Sequence, residues 1–134
     1  MGHDSEDKWE EIRTGVNLET KSPVELLDMF RQVISDKATV LREKFIWKEG
    51  GEVTEKPMVT QTDFRARPLG EDVLRLDWKG EDMDDKHLYF REPESAAIQI
   101  HKDGRKSVVI SHKSKSLGGQ VVRRFTALPN APSV

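Results

Sequence analysis

The sequence predicts an α+β domain, with one N-terminal amphipathic helix packed on a curved, half-barrel-like antiparallel meander of six or seven strands. Three observations carry that expectation. A capped helix signal begins at Ser22. Beyond it the apolar period changes from 3.6 to 2 and stays there. The turns between the alternating segments are short, which favours antiparallel neighbours.

The elements follow in order. Residues 1–20 form a polar N-terminal segment, in which Trp9 and Ile12 sit at helical spacing within a short stretch, Ser5 to Arg13. The single domain is expected over residues 21–127 and a loose, proline-containing tail over 128–134. Ser22-Pro23-Val24-Glu25 combines a capping Ser, a Pro at the first helical position and a Glu three residues after the cap. Leu26, Leu27, Phe30, Val33 and Ile34 then mark one helical face, and the spacing predicts a helix from Pro23 to Asp36. Leu41, Phe45 and Trp47 begin the alternating pattern. Glu49-Gly50-Gly51 supplies a turn, and Val53 to Arg67 reads as one long strand interrupted near Pro57. After the Pro68 turn, Leu74, Leu76 and Trp78 alternate with Arg75, Asp77 and Lys79. Strands are expected at His87–Arg91, around Ala96–Ile100, around Lys106–Ile110 and at Gln120–Thr126. A two-residue Asp103-Gly104 loop would mix the faces of the Ala96–Ile110 hairpin. A three-residue loop, Lys102-Asp103-Gly104, pairs Ile98 with Val108 and Ala96 with Ile110, and puts Gly104 at a left-handed position.

Composition excludes several classes. Apolar residues are 35% and charged residues 34%, but the net charge is only -2, so the chain lacks the high net charge of a disordered sequence. Its length fits one domain. Absence of cysteine excludes disulfides, thiolate metal sites and a cysteine nucleophile. No apolar run is long enough for a membrane-spanning helix, and the acidic, polar stretch Met1 to Trp9 does not read as a signal peptide. The charge is uneven. From His101 onward there are seven Lys/Arg and one acid, whereas Glu71 to Glu94 holds nine acids and four bases.

No constellation carries catalysis or metal binding. The histidines His3, His87, His101 and His112 lack ligand spacing. The acidic run at Glu81, Asp82, Asp84 and Asp85 lacks the Gly and the twelfth-position acid of a calcium loop. Nucleophile elbows and phosphate-cradling Gly loops are absent. No enzymatic activity, metal or cofactor is therefore expected. Lys106, Lys113, Lys115, Arg123 and Arg124 could line one basic partner-binding surface. That region carries no exposed aromatic platform and the overall balance is acidic, which argues against nucleic acid.

The aromatic residues suggest something else. Phe45, Trp47, Phe64, Leu74, Leu76, Trp78, Leu88 and Phe90 are expected to line one concave sheet face as ligand-binding residues. One helix of under four turns cannot cover six or seven strands, so leftover apolar surface needs an occupant.

Lys44-Phe45-Ile46-Trp47 after the helix, then Phe64-Arg65-Ala66-Arg67-Pro68, then Leu74-Arg75-Leu76-Asp77-Trp78 resemble the LolA/LolB-like lipoprotein-carrier superfamily. The resemblance implies an open half-barrel with an apolar, lipid-sized cavity. The leading functional expectation is a non-enzymatic binding protein that holds an apolar ligand or an apolar partner segment on its concave face. The alternative is a protein- or nucleic-acid-interaction module that uses the basic C-terminal strands and the acidic 71–94 region.

Overall fold

A computed structural model describes residues 16–48, 50–51, 53–80, 82, 84–114, 116 and 118–129, with backbone only at 56 and 57. The short helix expected in Ser5–Arg13, most of the tail, and Lys115 lie outside the described residues. The chain runs β1 (Glu19–Lys21), α1 (Pro23–Val33), β2 (Ala38–Lys48), β3 (Val53–Pro68), β4 (Leu74–Lys79), β5 (Asp85–Phe90), β6 (Glu94–Ile100), β7 (Lys106–Ser114) and β8 (Gly119–Ala127).

The helix starts as its sequence dictates. Ser22 Oγ accepts a hydrogen bond from the Glu25 backbone N–H at 3.2 Å, and the Glu25 carboxylate accepts from the Ser22 N–H at 3.1 Å. These reciprocal bonds satisfy two donors that a helix start leaves orphaned. The helix stops at Val33, three residues short of the expected end, because Ile34 is already extended, with φ −121° and ψ 119°.

The strands form one sheet in the order β1-β6-β7-β8-β2-β3-β4-β5, and every pairing is antiparallel. Two meanders, β2 to β5 and β6 to β8, are joined edge to edge by β2 and β8. The expected count of six or seven strands is corrected to eight, because the polar triplet Glu19-Thr20-Lys21 pairs with β6 and adds an edge. The half-barrel is corrected too. The sheet is open, with β1 and β5 as its edges among the described residues. Closure is unnecessary because, as described below, apolar surface is buried on both faces of the sheet, so one concave face need not enclose it all.

The hairpin register agrees with the three-residue loop. Ile98 lies opposite Val108 and Ala96 opposite Ile110, and Gly104 takes φ 91°. In β3 the strand continues through the expected interruption by bulging. Arg42 pairs with Val59 and Lys44 with Lys56, so β3 carries one extra residue beside Pro57. A second bulge falls where Ala38 faces Phe64 and Val40 faces Gln61, and there Asp63 adopts φ 53°. Asp is among the few residues that enter this left-handed region readily.

The main core lies between α1 and the sheet. Leu26, Leu27, Met29 and Phe30 meet Val40, Phe64, Leu74, Leu76, Trp78, Phe90, Val108, Ile110 and Phe125. Phe30 is its hub, with ring centroids 5.3 Å from Phe125 and 5.9 Å from Phe64. Trp78 stacks on Phe64 at 6.4 Å. A second cluster, Phe45, Val109 and Val122, lies on the opposite face, with Leu18, Trp47 and Val53 packed against it.

One polar side chain interrupts the main core. Gln61 is fully buried opposite Val40, and neither Oε1 nor Nε2 meets a hydrogen-bonding partner among the described residues. Burying an amide without a partner is unfavourable. Phe30→Ala should lower stability by about 3–5 kcal/mol, as large-to-small core changes do. Gln61→Met, in contrast, should hold or raise stability by up to about 2 kcal/mol, since it keeps the volume and removes the unsatisfied amide. Urea midpoints of the two variants check both. A loss of stability in Gln61→Met would mean that the amide is satisfied in solution.

Candidate functional site

Strand alternation sorts the sequence-derived residues between two faces. Phe64, Leu74, Leu76, Trp78 and Phe90 are brought together under α1, with Leu88 at their margin. Their burial is nearly complete, and helix side chains fill the space between them. Phe45 and Trp47 are not with them. They belong to the cluster on the outer face, away from the helix. The two tryptophans that the sequence places on one face therefore point to opposite sides of the sheet.

The basic residues divide similarly. Lys106 and Lys113 are exposed. Arg124 points to the outer face and is buried, where its Nε and Nη2 donate to the two Glu43 carboxylate oxygens at 2.8 and 3.0 Å. Its Nη1 donates to Gln99 Oε1 at 3.1 Å, and the guanidinium lies 5.9 Å from the Phe45 ring centre. Arg124 thus holds β2, β8 and β6 together. Arg123, its neighbour, points to the helix side. The structure does not gather these residues into one surface.

Beside the Arg124 pair, His101 Nε2 and Ser107 Oγ lie 2.7 Å apart, a separation seen between a base and a nucleophile. Ser107 is fully buried, however, and shares its hydroxyl with Thr126 Oγ1 at 2.7 Å, so it presents no attacking oxygen to solvent. No group of three metal-ligating side chains occurs among the described residues. No described helix is long and apolar enough to cross a membrane.

The outer side of β3, β4 and β5 is different in kind. The alternation that buries Leu74, Leu76 and Trp78 must turn Arg75, Asp77 and Lys79 outward. The register sets Arg65 opposite Asp77, Arg67 opposite Arg75, and Tyr89 and His87 opposite Arg75 and Asp77. These side chains organise around one carboxylate. Asp77 Oδ2 accepts from Arg67 Nε and Nη2 at 3.1 and 2.8 Å, and Oδ1 accepts from Arg75 Nε at 2.6 Å. Arg75 Nη1 donates to the Tyr89 hydroxyl at 3.1 Å. The guanidiniums of Arg75 and Arg91 stand 5.5 and 5.1 Å from the Tyr89 ring centre, and His87 meets that ring edge-on at 5.1 Å.

A cleft of about 280 Å³ opens here, lined in part by Arg65, Arg67, Arg75, Lys79 and Lys86 against Asp63, Asp77 and Asp85. Five cations thus border three carboxylates in a protein whose net charge is -2, with Lys86 also paired to Asp82 at 3.6 Å. The sequence reading missed this site although its signal was present. The polar partners of the Leu74-Leu76-Trp78 alternation define an outer face as surely as the apolar ones define a core.

Partial burial works to raise the pKa of Asp77, but hydrogen bonds from Arg67 and Arg75 outweigh it and hold the carboxyl below its ordinary value. A depressed carboxyl contributes stability above its unfolded pKa and loses it as pH falls through the folded value. The stability difference between the wild type and Asp77→Asn should therefore be full at neutral pH and close as pH drops below about 4. Denaturation midpoints measured across acid pH check this. A gap that persists unchanged at low pH would show that Asp77 acts without its charge.

No protein-family model and no curated protein matches this sequence. Among solved structures, the chain is similar to the Bacillus subtilis YojF protein, with 12% sequence identity, a TM-score of 0.45, and coverage of 86% of this chain and 98% of that one.

Proposed function

We propose that this protein is a non-enzymatic interaction module that binds an acidic, extended protein segment at the outer cleft of β3, β4 and β5. The observation that carries the reading is the sharing of Asp77. One carboxylate holds two guanidiniums, which leaves surplus positive charge in an open cleft and Arg67 Nη1 and Arg75 Nη2 donors that meet no acceptor among the described residues. Guanidinium forks match carboxylates in geometry. Of the two expectations drawn from sequence, the geometry favours the interaction module, at a surface that falls largely in the 71–94 region and takes Arg65 and Arg67 from β3 in place of the basic C-terminal strands. The near-complete burial of Phe64, Leu74, Leu76, Trp78 and Phe90 favours core over a large cavity for the apolar face, and the open space there is a cleft of about 310 Å³ at the C-terminal end of α1, between Phe30, Ile34, Phe64 and Ala66.

The neighbouring strand edge selects among anions. Among the described residues β5 pairs only with β4, so its other side offers backbone groups to an added strand. An extended peptide there would place alternate side chains beside Tyr89 and Arg91. Nucleic acid fits less well. The Tyr89 ring already packs with guanidiniums, and Trp78, which also lines the cleft, is buried and engaged by Phe64 and Arg42, so no free stacking platform among the described residues serves a base.

A labelled peptide of alternating Glu and Val, about ten residues long, is a suitable probe for strand addition. It should bind with an affinity that falls as salt rises. Reversing Arg65 and Arg67 together to Glu should abolish binding and leave the circular dichroism spectrum unchanged. Peptide binding that survives the reversal, or tighter binding of an oligothymidylate at the same salt, would overturn the proposal.

A further inference from the structure

A second group of cations lies on the helix side of the sheet, beyond the reach of α1. On β2, Arg42 and Lys44 take the inward positions between Val40 and Ile46. On β8, Arg123 sits between Phe125 and Val121, and on β7, His112 follows Ile110. The register puts Lys44 directly opposite Arg123, with Arg42 opposite Phe125 and His112 opposite Val121. Arg123 Nη1 lies 3.4 Å from His112 Nδ1, and the Arg42 guanidinium lies 5.8 Å from the Trp78 ring centre. All four side chains are half-buried over a floor that includes the buried Ile46 and Val121.

This arrangement runs against the rest of the molecule. Buried Arg124 has Glu43, and Arg67 and Arg75 have Asp77. Arg42 and Arg123 have no carboxylate within ion-pair distance among the described residues. Glu94 attracts Arg123 only from longer range. Like charges directly opposite in a sheet are destabilising, and partly buried cations without a counter-ion are more so. Burial lowers the pKa of Arg42, and of Arg123 together with the charge of Arg42. Burial first, then Arg123 and Lys44, lowers that of His112. A groove of about 460 Å³, lined by His112 and Lys113 with Glu92 and Glu94 across from them, opens beside the cluster and exposes its His112 side.

We propose that Arg42, Arg123 and His112, with Lys44 beside them, form a binding site for a phosphate dianion, free or as a phosphomonoester. Two guanidiniums can each donate to separate oxygens of a tetrahedral anion. A bound dianion would relieve the repulsion between Arg42 and Arg123 and would favour the protonated form of His112. Glu94 bounds the site on one side and disfavours larger polyanions. The site is separate from the outer cleft, on the other face of the sheet, and does not depend on it.

Inorganic phosphate is the probe, with sodium chloride at matched ionic strength as the control. Phosphate should raise the thermal midpoint above the chloride control. In NMR titrations of the histidine ring protons, it should move the His112 titration to higher pH and leave His87 and His101 in place. Arg123→Gln and Arg42→Gln should each weaken phosphate binding by about tenfold or more. The Arg65/Arg67 reversal should leave phosphate binding intact, so failure here and failure at the outer cleft are distinguishable. A His112 titration that phosphate does not move, or a midpoint shift that persists in Arg123→Gln, would overturn the site.

Discussion

Nine consecutive residue pairs join β2 to β8, from Val40 opposite Ala127 to Lys48 opposite Gly119. Without this seam the two meanders would be separate ribbons of three or four strands. With it, β2 becomes a central strand, paired with β8 on one side and β3 on the other. A central strand has no solvent-facing backbone edge, so its side chains decide what each face of the sheet must bury. β2 sends Ala38 and Val40 toward α1, and Glu43 and Phe45 to the outer face. Both sets are buried. The fold is thus committed to apolar contacts on two sides of its middle strands, and it uses one short helix for only one of them.

That commitment explains where charge is tolerated. At the seam, Arg124 of β8 is opposite Glu43 of β2, and their bidentate contact lies inside the outer-face cluster. Such a pair gains little net stability over an apolar substitute, but losing either member would strand a buried charge. The pair therefore favours the one register that matches Arg124 with Glu43. A slip of one residue would move Arg124 to the helix side and bring Arg123 against the outer cluster. Neighbouring arginines on one strand thus have unlike roles because a strand sends consecutive side chains to opposite faces.

The outer halves of the sheet have looser obligations. β3, β4 and β5 bury only their helix-facing side chains, so their outer side is left to polar residues. Exposed ion pairs contribute little to stability. The Asp77 arrangement is better understood as positioning, since it holds two guanidiniums and a tyrosine in fixed relation around a cleft. Rigid placement on strands, beside an unpaired strand edge, is what a recognition surface requires. The helix side has the opposite character. There the aromatic rings pack on each other and on Phe30, and the open space lies at the margin, where Arg42, Arg123 and His112 gather.

Local pattern was enough for much of this. The Ser22 cap and its Glu25 partner, the 3.6-residue face of α1, the Leu74-Leu76-Trp78 alternation and the three-residue loop before Arg105 all follow from contacts within a few residues, and the sequence alone determined them. It did not determine β1, whose Glu19-Thr20-Lys21 has no apolar alternation and becomes a strand only because the β6 edge is there to receive it. Nor did it determine which strands face which way relative to one another. Period 2 says that Trp47 and Trp78 each lie on an apolar face, but not that these are opposite faces. That is set by the register: Trp47 lies opposite Val53, whereas Trp78 is in phase with Leu76 opposite Ala66, and the two one-residue bulges in β3 between these points cancel in phase. The candidate sites depend on the same long-range choice. Asp77 meets Arg67 across one hairpin, but Arg123 meets Arg42 and Glu43 meets Arg124 across strands far apart in sequence, and no local signal relates those. Side-chain period is a property of the backbone and can be read from one strand. The pairing of faces is a property of the packed sheet, and only the tertiary structure decided it.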